Sequence, residues 1–216
     1  NRILTDHASD LLFAPSASAA KTLADEGITD SVHVTGDVMF DSILWARKVA
    51  ATESQVLEEL DLENKKFVLS TVHRASNTDD QERLESILNG LARVRLPVVL
   101  PVHPRTEDRL KSYNLWEQAT DELTVVDPVG YLDFVRLLDA AHRVATDSGG
   151  VQKEAFYLDT FCVTMRNETE WVETVESGWN VLVGADEATI EKEVNMSRHL
   201  KETPSPYGDG NAAGNI

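Results

Sequence analysis

The sequence is poor in cysteine, in lysine and in long apolar segments, and each shortage excludes a class of protein. Its one cysteine, Cys162, excludes an internal disulfide, and the apolar surroundings FCVTM predict a buried strand thiol and not a nucleophile. No apolar segment approaches the ~20 residues that a membrane-spanning helix needs. The polar opening NRILTDHASD does not resemble a signal peptide. We therefore expect a cytoplasmic protein without a membrane partner.

Positive charge is also scarce, since 20 Lys and Arg stand against 37 Asp and Glu and give a formal net charge of −17. Such a charge argues against binding of nucleic acid, which requires cations that neutralise phosphates. Only 8 of the 20 cations are lysines, so adaptation to high salt is one hypothesis, and an ordinary acidic cytosolic protein is the alternative. A hydrophobic share of 42% over 216 residues indicates a globular chain with one large domain or two small ones.

Short apolar segments alternate with amphipathic helical segments along most of the chain. The segment KFVLSTV has the composition of a strand buried on both faces, and the segment after it has apolar residues at helical spacing. This alternation predicts an α/β fold with a doubly wound, Rossmann-like parallel sheet. The predicted strands are 32–36, 66–72, 96–102, 123–127, 143–147, 161–165 and 180–183, with helices from Asp37 and at 79–94, 106–111, 130–141, 151–158, 170–176 and 187–198.

The two ends of the chain differ from this alternation. Residues 3–9 have the pattern of the last turns of a helix, and a strand and a helix follow before the regular alternation begins. The last segment is rich in Pro and Gly. We predict three parts: residues 1–36 are the end of a truncated N-terminal Rossmann-like domain, residues 37–198 form a C-terminal domain, and residues 199–216 are a tail.

Polar and cationic residues follow the predicted strands. They are His73, Arg74, His103, Arg105, Ser148, Gly149, Gly150 and Arg166. The carboxyl ends of parallel strands lie at one edge of a sheet, which is where ligands bind in open α/β folds. A cationic edge on an acidic protein predicts an anionic ligand. A lone histidine at a strand end is more often a structural hydrogen-bonding residue, but two of them beside Ser-Gly-Gly favour a binding site.

The Ser148-Gly149-Gly150 segment precedes the predicted helix 151–158. A helix N-terminus offers free N–H groups and a partial positive charge, and glycines let a phosphate approach the backbone. A tight strand-to-helix turn is the structural alternative. Glu154, one helical turn later, is placed to accept both hydroxyls of a ribose, or else only to complement the helix dipole. The spacings CxxC, HExxH and HxH are absent, so we predict no metal site.

Several segments, taken together in this order and spacing, resemble the non-hydrolysing UDP-N-acetylglucosamine 2-epimerases. The matching segments are NRILTDHASDLLFAPS, VTGDVMFDSIL, VHRASNTDD, PVHPRT, YLDFVRLL, TDSGGVQKEA, MRNETEW and PYGDG. The resemblance implies the C-terminal half of a GT-B-type two-domain fold that binds a UDP-sugar. It implies an isomerase of cell-surface polysaccharide biosynthesis that uses neither NAD nor metal. Such enzymes eliminate UDP to give a 2-acetamidoglucal and add UDP back after C2 is reprotonated on the other face.

The resemblance also implies roles for individual residues. His73 matches the essential histidine beside the diphosphate and the reacting sugar, and Arg2 matches an arginine of the catalytic cleft. The UDP-binding residues are implied to be His73, Phe134 at the uracil, Ser148, Gly149 and Gly150 at the phosphates, and Glu154 at the ribose. The proton-transferring carboxylates of the family belong to the N-terminal domain. We therefore expect this chain alone to bind UDP without epimerising it, and the full-length enzyme to be a homodimer.

Three positions depart from the common family pattern. Many members have Gln where this chain has Val129, Arg where it has Trp171, and Glu where it has Ser76. The segments TEW, GWN and PVHPRT resemble the branch that includes UDP-2,3-diacetamido-glucuronate 2-epimerases. UDP-N-acetylglucosamine, converted to UDP-N-acetylmannosamine, is the first choice of substrate and that uronate is the alternative. A GT-B glycosyltransferase and a non-catalytic UDP-sugar binding module remain as further hypotheses.

The C-terminal tail is expected to cross back to the N-terminal domain, as the resemblance implies. Its apolar residues Tyr207 and Ile216 would then have little to pack on in this chain.

Overall fold

The computed structural model describes residues 1–198 and 205–216. The described residues fall into two compact units, a smaller one of residues 1–45 with 205–216 and a larger one of residues 46–198. Helix α3 begins in the smaller unit and ends in the larger one. The predicted domain boundary at residue 36 stays a prediction.

The elements follow the chain in this order. The strands are β1 Leu12–Ala14, β2 Val32–Val34, β3 Val68–Thr71, β4 Val98–Pro101, β5 Thr124–Val126, β6 Arg143–Thr146, β7 Cys162–Thr164 and β8 Asn180–Leu182. The helices are α1 Arg2–His7, α2 Ala17–Asp25, α3 Val38–Glu53, α4 Val56–Glu59, α5 Ala75–Thr78, α6 Gln81–Ala92, α7 Pro104–Ser112, α8 Trp116–Glu122, α9 Tyr131–Ala140, α10 Gly149–Tyr157, α11 Val172–Glu176, α12 Glu187–Asn195 and α13 Ala212–Asn215.

The larger unit is built on a parallel sheet. In the described part of the chain its six strands have the order β5-β4-β3-β6-β7-β8, and every neighbouring pair is parallel. The chain therefore winds outward from β3 in one direction and from β6 in the other. This doubly wound order creates a crevice between the carboxyl ends of β3 and β6, where such folds bind ligands. The predicted α/β, Rossmann-like sheet is confirmed.

Helices cover both faces of this sheet, and α6 shows why they form where they do. Asp80 caps the helix, since its carboxylate accepts a hydrogen bond from the Arg83 N–H at 3.1 Å. The apolar residues of α6 recur at helical spacing and are buried against the sheet and α12. They are Leu84, Ile87, Leu88 and Leu91.

Most predicted elements exist, with bounds that differ by a few residues. The predicted helix 79–94 is the single helix α6, which begins after the Asp80 cap, and the short α5 before it was not predicted. The predicted helix 187–198 ends at Asn195. Helix α8 was not predicted, because its sequence WEQATDE has no continuous apolar face. Cys162 is buried as predicted, and burial raises the pKa of its thiol to about 12.

The smaller unit contains the two-stranded parallel sheet β1-β2 with α1, α2 and the C-terminal residues. Tyr207 is buried, and its carbonyl accepts a hydrogen bond from the Asp37 N–H at 2.9 Å. The Asp41 carboxylate accepts from the N–H groups of Ala212 and Ala213 at 2.9 and 2.8 Å. The expectation that Tyr207 has little to pack on is therefore wrong, because the tail packs on the start of α3, whereas Ile216 is exposed.

Candidate functional site

The crevice between β3 and β6 brings together residues that are far apart in the sequence. Thr71 and Thr146 are the paired last residues of the two strands, and their hydroxyl groups are 2.6 Å apart. His73 follows one strand and Ser148 follows the other. The structure thus places the predicted histidine beside the predicted phosphate-binding segment.

Asp147 holds this crevice together. Its carboxylate is fully buried and accepts hydrogen bonds from the backbone N–H groups of His73 and Arg74 at 3.0–3.1 Å, and from the Asn77 amide at 3.1 Å. The Nδ1 atom of His73 is 3.5 Å from the same carboxylate, so the imidazole is oriented while its side chain stays 40% exposed. Sequence reasoning assigned Asp147 no role. An acidic residue at the end of an otherwise apolar strand is the signal that could have found it.

The segment Ser148–Gly150 forms the start of α10, and we call it the phosphate turn. Ser148 is the N-cap residue, and its own N–H donates to the Thr146 hydroxyl at 2.9 Å. The first N–H groups of a helix have no partner within the helix. Among the described residues, a Cβ on Gly150 would meet only the Ser148 hydroxyl, at 3.9 Å. The space beside Gly150 is therefore open, whereas a Cβ on Gly149 would lie 3.5 Å from the Glu170 and Trp171 side chains.

Glu154 lies one helical turn below the phosphate turn and is partly buried. Its carboxylate accepts a hydrogen bond from the Tyr131 hydroxyl at 3.3 Å. Burial raises the pKa of Glu154, and burial together with the Glu154 carboxylate raises the pKa of Tyr131 to about 12. Glu154 therefore faces the start of α9, on the side where a second cluster of site residues lies.

That second cluster surrounds a mostly apolar cavity of about 390 Å³ at the ends of β3, β4 and β5. The side chains that matter to the argument are His73, His103, Val129, Tyr131 and Phe134. The cavity therefore adjoins the phosphate turn through His73. An apolar cavity with an aromatic wall suits a flat ring such as a nucleobase.

His103 has a structural role as well as a place in the cavity. Its Nδ1 accepts a hydrogen bond from the Arg105 N–H at 3.2 Å and caps α7. Its ring lies 6.0 Å from the ring of His73. In the neutral ring the proton then sits on Nε2, which makes that nitrogen a donor.

The expected cationic edge is corrected by the structure, because each predicted arginine has a carboxylate beside it. Arg105 contacts Asp79 at 2.5 Å. Arg166 binds Glu170 through two hydrogen bonds of 2.9 Å, and Arg74 lies 3.6 Å from Glu170. The Arg166 guanidinium lowers the pKa of Glu170 to about 2. The sequence analysis considered only the residues at the strand ends. It therefore missed Asp79 and Glu170, which lie in loops between the elements.

A second, polar cavity of about 500 Å³ lies on the β7 side of the crevice. Three of its lining residues are Arg74, Arg83 and Arg166. The Arg83 guanidinium donates to the Ser76 carbonyl and to the Asn77 side chain at 3.0 and 2.9 Å.

Arg2 belongs to the smaller unit and forms ion pairs with Asp6 and Glu26 there. Its assignment to a catalytic cleft stays a prediction. Among residues 1–198 and 205–216, no group of three or more His, Cys, Asp or Glu residues is arranged to hold a metal ion. The same residues contain no helix that is long and apolar enough to cross a membrane.

A doubly wound parallel sheet with a glycine-rich helix start at its switch point and an apolar cavity beside it has the arrangement with which open α/β proteins bind ligands. The family model described as UDP-N-acetylglucosamine 2-epimerase matches residues 1–216. The chain therefore belongs to the UDP-N-acetylglucosamine 2-epimerase family, as its sequence motifs predicted.

Two curated relatives are informative. A UDP-N-acetylglucosamine 2-epimerase homolog of Methanococcus maripaludis is 45% identical over 99% of this chain and 61% of its own length. The UDP-2,3-diacetamido-2,3-dideoxy-D-glucuronate 2-epimerase of Pseudomonas aeruginosa is 42% identical over 100% of this chain and 61% of its own length. The chain thus spans about three fifths of the length of these relatives.

Among solved structures, the chain is similar to the UDP-GlcNAc 2-epimerase of Methanocaldococcus jannaschii in complex with UDP-GlcNAc and UDP. The identity is 37% and the TM-score is 0.84, over 98% of this chain and 61% of that one. The UDP-GlcNAc 2-epimerase of Neisseria meningitidis bound to UDP-GlcNAc is 26% identical with a TM-score of 0.80, over 99% of this chain and 62% of that one.

Proposed function

We propose that this chain carries the UDP-binding half of a non-hydrolysing 2-epimerase that interconverts UDP-N-acetylglucosamine and UDP-N-acetylmannosamine. The observation that carries the proposal is the crevice organised by Asp147. There His73, the phosphate turn and the apolar cavity with Phe134 adjoin one another within one unit. Family membership supports the reaction, and the crevice supports the ligand.

Each part of UDP has a matching part of the crevice in this proposal. Phe134 packs against the uracil in the apolar cavity, and Glu154 accepts hydrogen bonds from the ribose hydroxyls after exchanging its bond with Tyr131. The N–H groups of Gly149 and Gly150 donate to the diphosphate, where the helix dipole adds favourable charge. His73 lies between the cavity and the turn and donates to the same diphosphate.

The reaction needs a good leaving group and two proton transfers at C2. Loss of the C2 proton and cleavage of the C1–O bond give a 2-acetamidoglucal and UDP, which leaves with the electron pair. Return of a proton to the other face of C2 and attack of UDP on C1 complete the epimerisation. His73 and the phosphate turn stabilise the charge on the departing UDP. We assign Arg2 to the catalytic cleft from the family resemblance.

Epimerisation of UDP-2,3-diacetamido-2,3-dideoxy-D-glucuronate is the second candidate. The polar cavity supports it through Arg83, whose guanidinium donates to the neutral Ser76 carbonyl and Asn77 side chain, because a guanidinium binds carboxylates and this sugar carries one. The Pseudomonas aeruginosa relative of that name is 42% identical.

Calorimetry with UDP, followed by proton NMR in D₂O with both UDP-sugars, tests the proposal. We expect the 216-residue chain to bind UDP without exchanging the C2 proton. In the full-length protein, exchange with one sugar and not the other identifies the substrate. Sugar transfer to an acceptor without epimer would instead show a glycosyltransferase, and UDP binding without turnover would show a binding module. No saturable binding of UDP would contradict the proposal.

We further propose that the full-length enzyme is a cytoplasmic homodimer without nucleic-acid or membrane partners. The family resemblance supports the dimer, and the net charge of −17 argues against nucleic acid. Light scattering of the full-length protein should give twice the monomer mass, and a monomer mass would contradict the dimer.

A further inference from the structure

Trp171 contacts the phosphate turn at Gly149. Its indole Nε1 donates a hydrogen bond to the Gly149 carbonyl at 2.8 Å. The neighbouring Thr169 hydroxyl accepts from the Trp171 backbone N–H and donates to the buried Gln152 side chain of α10 at 2.6 Å. The segment before α11 is therefore fixed to the first turns of α10 at two points.

The Gly149 peptide lies in the first turn of α10, so the helix sets its direction and the Trp171 indole holds it there. The Gly149 carbonyl and the Gly150 N–H belong to one planar trans peptide, so they point in opposite directions. The Gly150 N–H therefore points toward the N-terminal side of α10, and the hydrogen bond from Trp171 restrains the peptide that carries it. Donation to the carbonyl also polarises the peptide and strengthens the N–H as a donor.

Lys153 adds a positive charge near the same turn, against the Trp171 ring. Its side chain is 3% exposed, and its ammonium group lies 4.1 Å from the centre of the Trp171 ring. The ring thus contacts the turn through its N–H and the ammonium through its face. Helical side chains tilt toward the helix N-terminus, so Lys153, four residues after Gly149, extends toward the turn.

We propose that Trp171 and Lys153 are positioning residues for diphosphate binding: the indole restrains and polarises the peptide that carries the Gly150 N–H, and the ammonium on its ring supplies charge. This inference rests on the proposed UDP site. Neither residue touches the ligand. A purely structural pair would change stability alone, whereas this pair changes the affinity for the diphosphate part of UDP and leaves the affinity for uridine unchanged.

Three variants and a matched control test the inference by calorimetry with UDP, inorganic diphosphate and uridine. Trp171→Phe keeps a ring over Lys153 and removes the N–H, so we expect about 5- to 10-fold weaker binding of UDP and diphosphate, the effect of one lost hydrogen bond. Lys153→Met should weaken the binding of UDP and of diphosphate by about the same factor, and Lys153→Arg should keep both affinities close to wild type. Trp116→Phe is the control, because Trp116 also lies against a lysine, with Lys111 at 4.9 Å, but outside the site.

The outcomes separate the two proposals. If the wild-type chain binds no UDP, both the proposed function and this inference fall. The inference alone is overturned if the wild-type chain binds UDP and the Trp171 and Lys153 variants keep the wild-type affinities. It is also overturned if these variants lose affinity for uridine as strongly as for diphosphate. Thermal unfolding of each variant accompanies the titrations, and if Trp171→Phe does not fold, Lys153→Met and its Arg counterpart decide.

Discussion

Gly90 and Gly150 lie in two regions of the larger unit that need glycine for opposite reasons. A Cβ on Gly90 would lie 2.9 Å from both the Glu187 carbonyl and the Ile190 Cβ, so the close packing of α6 against α12 excludes any larger residue. A Cβ on Gly150 would find only the Ser148 hydroxyl at 3.9 Å among the described residues. The first glycine serves the fold, and the second leaves room for a ligand.

This comparison separates stability from binding by region. Around Gly90 the neighbours are helices of the same chain, and a substitution there should lower stability. Gly150 faces open space at the polar ends of the strands, and a substitution there should lower ligand affinity. Five substitutions test how far the separation holds, beginning with the residue on which both properties depend.

Asp147 should affect both stability and ligand binding, because it is buried and also shapes the crevice. Asp147→Ala leaves the N–H groups of His73 and Arg74 without their buried acceptor, so we expect a loss of about 2–4 kcal/mol in the free energy of unfolding. UDP binding should be lost as well. Urea unfolding and calorimetry measure the two effects. Asp79→Ala, which removes an exposed carboxylate between Arg105 and Arg109, is the control and should change stability much less. Equal losses in both variants would contradict the role of Asp147.

His73 should affect chemistry far more than stability. His73→Ala removes a donor to the departing UDP, so turnover of the full-length protein should fall at least ~100-fold, the usual effect of losing one such donor. UDP binding by this chain should weaken only modestly. His142→Ala is a suitable control, because His142 is exposed at the opposite end of β6. Unchanged turnover in His73→Ala would remove this residue from the mechanism.

The glycine pair tests the comparison itself. Gly150→Ala should weaken UDP binding about 10-fold, the cost of roughly one charge-assisted hydrogen bond, because its methyl group would occupy the phosphate position. Its stability should match wild type. Gly90→Ala should instead lose about 1–3 kcal/mol of stability through overpacking, with UDP affinity unchanged in the folded fraction. Denaturant unfolding and calorimetry on both variants suffice. A stability loss confined to Gly150→Ala would reverse the account.

Glu154→Gln should give the smallest effect, a loss of a few-fold in UDP affinity with little change for inorganic diphosphate. The reason is that an amide has one acceptor oxygen where a carboxylate has two.

The pH dependence of wild type offers a second test of Glu154. Burial raises its pKa, so folding favours the protonated form, and the contribution of Glu154 to stability is lost as the pH rises above its unfolded pKa. Glu154→Gln removes this penalty at neutral pH. In wild type, UDP affinity should decline on acidification at a higher pH than an ordinary glutamate would give. Equal losses for UDP and diphosphate would mean that Glu154 only complements the helix dipole.

The features that follow from local sequence were predictable. Ser148 caps α10 because a hydroxyl before a helix accepts a backbone N–H, and this requires no knowledge of distant residues. The strand β3 was predictable because apolar residues fill both of its faces. Parallel strands place their carboxyl ends at one edge of the sheet, so the order of the strands and helices alone predicts that His73 and Ser148 lie at the same edge.

The partners of site residues could not be predicted, because they come from distant parts of the chain. Nothing near Arg105 in the sequence shows that Asp79 neutralises it, and the carboxylate on Arg166 depends on how the loop before α11 folds. The contact between the Trp171 indole and Gly149 was also not predictable, and the sequence showed Trp171 only as a departure from the family pattern. Such contacts depend on side-chain directions that periodicity does not encode.

A crystal structure of the 216-residue chain with UDP would show whether the crevice between β3 and β6 binds the nucleotide. We expect the uracil against Phe134, the ribose hydroxyls on Glu154, and diphosphate oxygens within hydrogen-bond distance of the Gly149 and Gly150 N–H groups and of His73. UDP bound away from the crevice between β3 and β6, with the phosphate turn unoccupied, would contradict this expectation.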